Sequence, residues 1–482
     1  MKVILSTGHG RLHLVQSATW LRKAGVDVTM LTGWIPKKPD GWIVNLASKL
    51  VRHNLVPGMK KRQVPELKGH VITCAFAEMA DECLRIFGRI FKLDMRKISV
   101  LGWKIFGRVS SKKIKHLSPA PTSHSHLIFH VRSGAGHGGA IETARKLGMK
   151  IVVDHSIAHP AYMERELKSE YEKRGVRFDL GISSPFWQMI DEDCQWADKI
   201  LVNSFFVHDT FVAEGYDPKK IEVAYLGVRS DFFGLRQKKF DVSSLTFDVV
   251  EGSNLSSTPE TSNFKPQTSN STPQTSTIKL LFTGGFGFRK GGEYILEALK
   301  IVNEKRPDSF TMDFVGSYEK TIVDAYKKDN LPIIFHGPVP QDDLKSYLAN
   351  SDIYVFPSLA EGCASSGMEA MAAGMCVVAT HESGFPITDG ENGYLVPTKN
   401  AQAIADRILW LMDHPEEVDR VGANAAKLIR ENYTWEKYAE KVKKLYEELV
   451  DNVSRIERNS DESEDYANAS SDSTAEGRYK NA

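Results

Sequence analysis

Cysteine is scarce in this chain, and what there is does not pair. Five residues in 482 (Cys74, Cys83, Cys194, Cys363 and Cys376) form no CxxC motif, which argues against both a zinc ribbon and a disulfide-held scaffold. Long hydrophobic runs are missing too, and nothing approaches the roughly 18 apolar residues of a transmembrane helix. Charge of one sign is also lacking. With 62 Lys and Arg against 61 Asp and Glu, the formal net charge is +1. Bulk electrostatics therefore single out no partner, and no nucleic acid is expected. The opening Met1-Lys2-Val3-Ile4-Leu5-Ser6 runs straight into a Gly turn and reads as a first strand, not a leader, so a cytoplasmic location is expected. What remains is ordinary: 41% hydrophobic and 26% charged residues, on a chain too long for one core.

Two segments share one plan. Val3–Leu5 is a short apolar strand; Thr7-Gly8-His9-Gly10 then turns into a helical pattern at Leu14, Ala18 and Leu21. Lys279–Thr283 is another, followed by Gly284-Gly285-Phe286-Gly287 and the pattern Tyr294, Leu296, Leu299. Strand, Gly turn and helix in repetition predict α/β domains with parallel, doubly wound sheets. Further strands are expected at Lys150–Val153, Lys199–Val202, Glu222–Tyr225, Thr311–Val315, Ile333–His336, Ile353–Phe356 and Cys376–Ala379. The expected organisation is a first domain over 1–240, a Ser/Thr/Pro-rich disordered linker over 241–277, a second domain over 278–450 and a disordered acidic tail over 451–482. Trp435, Tyr438, Val442, Leu445 and Leu449 predict an amphipathic closing helix before that tail.

The first domain carries an unusual insert. Residues 48–116 hold 16 Lys and Arg against 5 Asp and Glu. A helix over Glu82–Lys97 would align Arg85, Arg89, Lys92 and Arg96 in a narrow stripe. Leu84, Ile86, Phe87, Ile90, Phe91 and Leu93 would cover the wide opposite face. Such a helix suits an anionic membrane surface. The alternative is a surface helix whose apolar face lies in the core and whose basic stripe is solvated.

The stretch from Glu361 to Gly374 sets two carboxylates, Glu361 and Glu369, eight positions apart around the small-residue turn Gly362-Cys363-Ala364-Ser365-Ser366. A helix start free of bulky side chains exposes backbone N–H groups to an anion such as a diphosphate, and flanking carboxylates accept from sugar hydroxyls. A plain alternative is a capping box, Ser366 as N-cap with Glu369 three residues on. Position favours the ligand reading, because both carboxylates would lie beyond the carboxyl end of the strand ending at Phe356.

Asp352–Ser358, Glu361…Glu369-Ala370-Met371-Ala372-Ala373-Gly374 and Gly390–Pro397 resemble the retaining glycosyltransferases of family four (glycosyl transferases group 1). Phe282–Gly291 resembles that family's phosphate-binding turn, and Ala197–Ser204 and Ile221–Val228 resemble the end of its first domain. The resemblance is strong in the second half and loose before Ser123. It implies a GT-B architecture: two Rossmann-like doubly wound domains facing across a cleft that holds donor and acceptor.

By that resemblance, Glu369 would hold the ribose, Glu361 the donor sugar, and the backbone of Gly362, Cys363, Ala364 and Ser365 the sugar and diphosphate. Lys290 and Arg289 would neutralise phosphates, which gain charge as the nucleoside diphosphate departs. Gly8, Gly10 and Gly285 would admit the diphosphate, and Pro338 and Val339 would meet the base. The family commonly has an arginine where this chain has Gly285, with Arg289 the expected substitute. It often has a histidine at the exit of the strand Leu127–Val131; here Arg132 takes that place, with His130 and His155 as neighbours. Those three join Glu361 as catalytic candidates. His9 and His13 find no third ligand, so no metal site is expected, and no cofactor besides the nucleotide sugar.

The expected activity is sugar transfer from a nucleotide donor to the hydroxyl of a saccharide or lipid-linked acceptor, with retention and without a metal. Its setting would be polysaccharide or glycolipid assembly in the cytoplasm, at the inner face of the membrane if the basic insert docks there. Two alternatives are an epimerase or hydrolase of the same fold and a non-catalytic component that binds nucleotide sugar or membrane.

Overall fold

The computed structural model describes residues 1–50, 54–118, 127–236, 277–326 and 329–451. The expected linker and acidic tail, apart from residues 277 and 451, lie outside the described residues.

Two parallel sheets organise the chain. The first has seven strands: β1 (Lys2–Ser6), β2 (Asp27–Thr32), β3 (Val71–Thr73), β4 (Leu127–Arg132), β5 (Lys150–His155), β6 (Lys199–Val202) and β7 (Ile221–Val223). They lie in the order β3-β2-β1-β4-β5-β6-β7, all neighbours parallel. The second has β8 (Ile278–Thr283), β9 (Phe310–Val315), β10 (Ile333–Gly337), β11 (Ile353–Phe356), β12 (Cys376–Ala379) and β13 (Tyr394–Leu395). Their order is β10-β9-β8-β11-β12-β13, again all parallel. Both orders reverse direction beside the domain's first strand, at the switch points β1/β4 and β8/β11, where doubly wound sheets open a crevice.

Strands such as Ile353-Tyr354-Val355-Phe356 are wholly buried, because helices cover both faces of a parallel sheet. The apolar spacing read after β1 becomes helix α1 (Leu14–Lys23), with Leu14, Ala18 and Leu21 buried. After β8, helix Gly292–Lys305 buries Leu296 and Leu299. Gly291 precedes it at φ +73°, in the left-handed region, where a Cβ would lie 2.0 Å from the carbonyl oxygen of Pro357. Strands β2, β3 and β13 were not anticipated; β3 and β13 are too short to show alternation.

The insert corrects one expectation. Residues 82–97 do not form one helix. Helix α4 (Ala75–Ile90) stops, and α5 (Met95–Leu117) starts behind Asp94, whose side chain caps the Arg96 N–H. Between them Lys92 adopts φ +51°. Helices α2 (Trp42–Leu50) and α3 (Val56–Lys61) complete the insert. The alternative that buried its apolar face is also overturned. Phe76, Met79, Ile86, Phe87 and Ile90 are exposed along α4, and Phe91 and Leu93 just beyond it. The α4–α5 contact uses the other side of α4, where Ala77, Asp81 and Gly88 are buried and a Cβ on Gly88 would lie 2.1 Å from Ile98 Cδ1. Of the basic stripe, Arg85 pairs with Asp81 at 2.8 Å and Arg96 with Asp94 at 2.8 Å.

The closing helix is present at 435–451, but it does not complete the second domain. Tyr438, Val442, Leu445, Tyr446 and Leu449 share a core with Val3, Leu5, Leu14, Ala18 and Leu21 of the first. Tyr438 Oη lies 3.0 Å from Ser17 Oγ, and Tyr446 Oη 2.5 Å from His130 Nδ1. The chain thus crosses between domains twice, and the two crossings touch. The Val228 N–H donates to Tyr433 O at 2.8 Å, and a Cβ on Gly227 would lie 2.3 Å from the Trp435 nitrogen.

Candidate active site in the cleft between the domains

A cleft of about 560 Å³ opens between the two sheets, a size usual for small-molecule sites. The second domain contributes Lys290, Gln341, Glu361, Cys363, Ala364, Ser365, Ser366, Met368 and Glu369 to its wall. Leu12, His13, Gln16, Ser156, Asn203 and the crossover residues Leu226 to Arg229 and Trp435 complete it.

The helix Ser365–Ala373 begins at the cleft without a cap. Its N-cap is Ala364, and among the described residues no side-chain hydrogen bond caps its first turn. The capping-box alternative is therefore not what forms. Ser366 lies inside the first turn and its hydroxyl donates to Thr283 O at 3.2 Å, while Tyr354 Oη donates to Ser366 Oγ at 2.9 Å. Helix start and β8 exit are thereby tied together, with orphan N–H groups facing the cleft wall.

Around this helix start stand the charges. Arg289 Nη1 donates to Glu361 Oε2 at 2.5 Å and to Ala360 O at 2.8 Å. Lys290 Nζ sits 3.8 Å from the same carboxylate and 5.0 Å from the centre of the Phe356 ring. Burial lowers the Lys290 ammonium pKa and Arg289 lowers it further, with Glu361 opposing both. Gly284, at φ +119°, makes room for it: a Cβ there would lie 3.2 Å from Lys290 Nζ. Glu369, one turn into the helix, has its carboxyl pushed up to about 7 by burial, against the pull of Arg229.

The candidates divide accordingly. Glu361, Lys290, Cys363, Ala364, Ser365 and Glu369 converge on the cleft. Arg289 reaches it through Glu361. Gly362 packs against the first domain, where a Cβ would lie 2.1 Å from Ser156 O. Gly285 is exposed in its turn, and Arg289, the expected substitute for an arginine there, is bonded to Glu361. Pro338 and Val339 lie three and two residues before Gln341, which does line the wall.

In the first domain His130, His155 and Arg132 do not line the cleft among the described residues. His130 is fully buried against Tyr446. His155 is sealed beside Phe211 with its pKa pushed down to about 4 by burial, and its Nδ1 meets Ser133 Oγ at 3.1 Å. Arg132 turns towards Gly10 O at 3.5 Å and lies 5.2 Å from the Trp103 ring. Gly8 and Gly10 serve these same neighbours: a Cβ on Gly8 would lie 2.3 Å from Trp103, and one on Gly10 2.6 Å from Arg132 Nη1.

Two functional candidates were missed. His13 lines the cleft, and its Nε2 is held between Asp154 Oδ1 and Oδ2 at 3.0 and 3.1 Å. Burial alone would raise the Asp154 carboxyl, but the charge and hydrogen bond of His13, with His130 behind, hold it well below the usual range. Rejecting His13 as a metal ligand hid it as an oriented imidazole. Arg229 lines the cleft too, with Nε 3.0 Å from Asp231 Oδ1 and Nη1 donating to Gln341 Oε1 at 2.9 Å. It follows directly after the Ile221–Val228 motif, the one signal that pointed there. Among the described residues, no His, Cys, Asp or Glu group is arranged to hold a metal ion.

Two facing doubly wound domains, with an uncapped helix start and cations at the cleft, define the GT-B class. A crystal structure of HepE from Anabaena in complex with UDP and glucose superposes with TM-score 0.55 at 14% identity, covering 93% of this chain and 100% of that one. Residues 264–428 match the family model Glycosyl transferases group 1, so by family the second domain is a group 1 glycosyltransferase domain. An uncharacterized glycosyltransferase of Methanocaldococcus jannaschii is 31% identical over 174 residues, 36% of this chain and 48% of that protein. A sulfoquinovosyl transferase of Arabidopsis thaliana is 24% identical over 317 residues, 63% of this chain and 53% of that protein. The chain spans about half the length of the curated relatives it matches.

Proposed function

We propose that this protein transfers a sugar from a nucleotide-sugar donor to an acceptor hydroxyl, with retention at the anomeric carbon. The observation that carries the reading is the uncapped helix start at Ser365, flanked by Lys290 and by Glu361 and Glu369. The diphosphate would lie on the free N–H groups, with Lys290 taking the charge that builds on it as the bond to the sugar breaks. Glu361, oriented by Arg289, would hold sugar hydroxyls, and Glu369 those of the ribose. No metal or cofactor beyond the donor is invoked. UDP in HepE is consistent with a uridine-type donor.

Retention is supported by what faces the donor. Both carboxylates that line the cleft, Glu361 and Glu369, come from the second domain, and the described lining of the first domain offers none. The departing phosphate oxygen then takes the acceptor's proton as the new bond forms on the same face, with the domains holding both reactants aligned. His13, fixed by Asp154, is the first-domain group that would touch the reacting sugar. Incubation with a panel of nucleotide sugars tests this: nucleoside diphosphate release should require acceptor and fall at least a hundredfold in Glu361→Ala. Conversion without acceptor would indicate epimerisation or hydrolysis, and binding without release a non-catalytic component.

The setting would be polysaccharide or glycolipid assembly in the cytoplasm, at the inner face of a membrane. The support is the exposed apolar stripe of α4, with Phe76 67% and Ile90 68% exposed, and the 75% exposed Trp42 on α2 of the same insert. Arg89, Lys92 and Lys97 stand around it. Such a surface suits an anionic bilayer. Among the described residues no helix is long and apolar enough to cross a membrane, so contact would be peripheral. Phe87→Glu with Ile90→Glu should abolish sedimentation with anionic liposomes; wild type that stays in the supernatant would remove the membrane from the proposal.

A further inference from the structure

A second cleft, of about 430 Å³, adjoins the first. It is bounded by α1, the end of α3 and the turn Pro65–Leu67, and Leu12 and Gln16 line both. Leu12, the rim between them, has φ +38° and an exposed side chain, a strained position for a branched residue.

The charge in this second cleft is only partly compensated. Arg11 lines it, half-buried, with Nη1 donating to Arg62 O at 2.6 Å. Its Nε is shut away from solvent with no hydrogen-bond partner, and among the described residues no carboxylate lies within ion-pair distance of it. The nearby Glu78 is already taken, bonded to Arg62 Nη1 at 2.5 Å. Lys61 adds a second cation to the wall, and the one acid there, Glu66, is exposed at the rim. A guanidinium partly out of water, beside another cation, is costly unless an anion meets it. Gln63 is positioned by a bond to Pro36 O at 2.8 Å and offers its carbonyl oxygen to a hydroxyl.

We propose that this second cleft is the acceptor subsite and that the acceptor it takes is a phosphomonoester of a polyol or sugar. Arg11 and Lys61 would hold the phosphate, and the reacting hydroxyl would reach past Leu12 and Gln16 into the donor cleft. This rests on the transfer reading above, and names its acceptor class. Arginine suits the role because its planar fork grips two phosphate oxygens at once.

The test compares glycerol phosphate, inorganic phosphate and glycerol as probes, with pyrophosphate reporting on the donor cleft, by calorimetry on the full chain. In Arg11→Gln, glycerol phosphate affinity should fall at least tenfold while pyrophosphate affinity stays within twofold; Lys290→Gln should do the reverse. Lys61 is exposed, so Lys61→Gln keeps the test valid if Arg11→Gln folds poorly, and it should cost at least threefold. Glycerol phosphate affinity unchanged in both variants, or lost only with Lys290→Gln, would overturn the subsite. Inorganic phosphate binding as tightly as glycerol phosphate would make it a free-anion site and overturn the acceptor assignment. Loss of pyrophosphate binding in wild type would instead count against the donor reading, leaving the Arg11 comparison to stand alone.

Discussion

Glu369 is the residue at which ligand binding and stability pull apart. Burial raises its carboxyl from 4.5 to about 7, so ionising it works against the fold. The stability this group contributes is complete below about pH 4.5 and is lost as pH rises through about 7. Glu369→Gln should therefore raise the unfolding free energy of the ligand-free protein by up to about 3 kcal/mol at pH 8, and by much less at pH 5. The same change should cost about 1–3 kcal/mol of donor affinity, because hydroxyls lose a charged acceptor. Thermal melts at the two pH values, with calorimetry of the donor, check both signs. A lower melting point in the variant would bring the capping box back. Glu361 has no such double role, since Arg289 already satisfies its charge.

At the scale of the element, the decisive feature is a helix that begins without its cap. Ala364 stands where Ser, Asp or Asn would stabilise the first turn. An aspartate there would accept from the free N–H groups and occupy the place proposed for the diphosphate. Ala364→Asp should thus stabilise the ligand-free protein by about 1 kcal/mol and weaken donor binding at least tenfold. A melting curve and a donor titration would separate this from simple damage, which would lower both. Helix α4 illustrates the same scale from the other direction. Its apolar and basic residues were visible in the sequence, but which face met the protein depended on α5 and on Gly88 and Asp81 between them.

For the whole molecule, the site exists only where two domains meet. Ser204 Oγ of the first domain donates to Gly362 O of the second at 2.6 Å, and Gly362 leaves no room for a Cβ against Ser156. Gly362→Ala should wedge the domains apart while leaving Lys290, Glu369 and the helix start intact. Nucleoside diphosphate affinity should stay within a few-fold, and transfer should fall about a hundredfold, the usual cost of misplacing reactants by an ångström. Loss of both together would mean that nucleotide binding, too, depends on the contact between the domains. The closing helix 435–451 supports the same geometry, because its apolar face is buried in the first domain.

The sequence by itself determined the two strand–turn–helix domains and most of the second domain's share of the site. Those signals are local: an apolar strand, a Gly turn, Arg289-Lys290 and the Glu361–Glu369 stretch all lie within reach of one sheet edge. Only the tertiary structure decided the first domain's contribution. His130, His155 and Arg132 stood at strand exits but turned into the interior, towards Tyr446, Phe211 and Trp103 from distant parts of the chain. His13 faces the cleft because Asp154, 141 residues away, holds its ring. Arg229 enters because the two crossovers press together at Gly227 and Trp435. The direction of a side chain at a strand end is set by whatever packs behind it, and that partner has no fixed spacing along the chain.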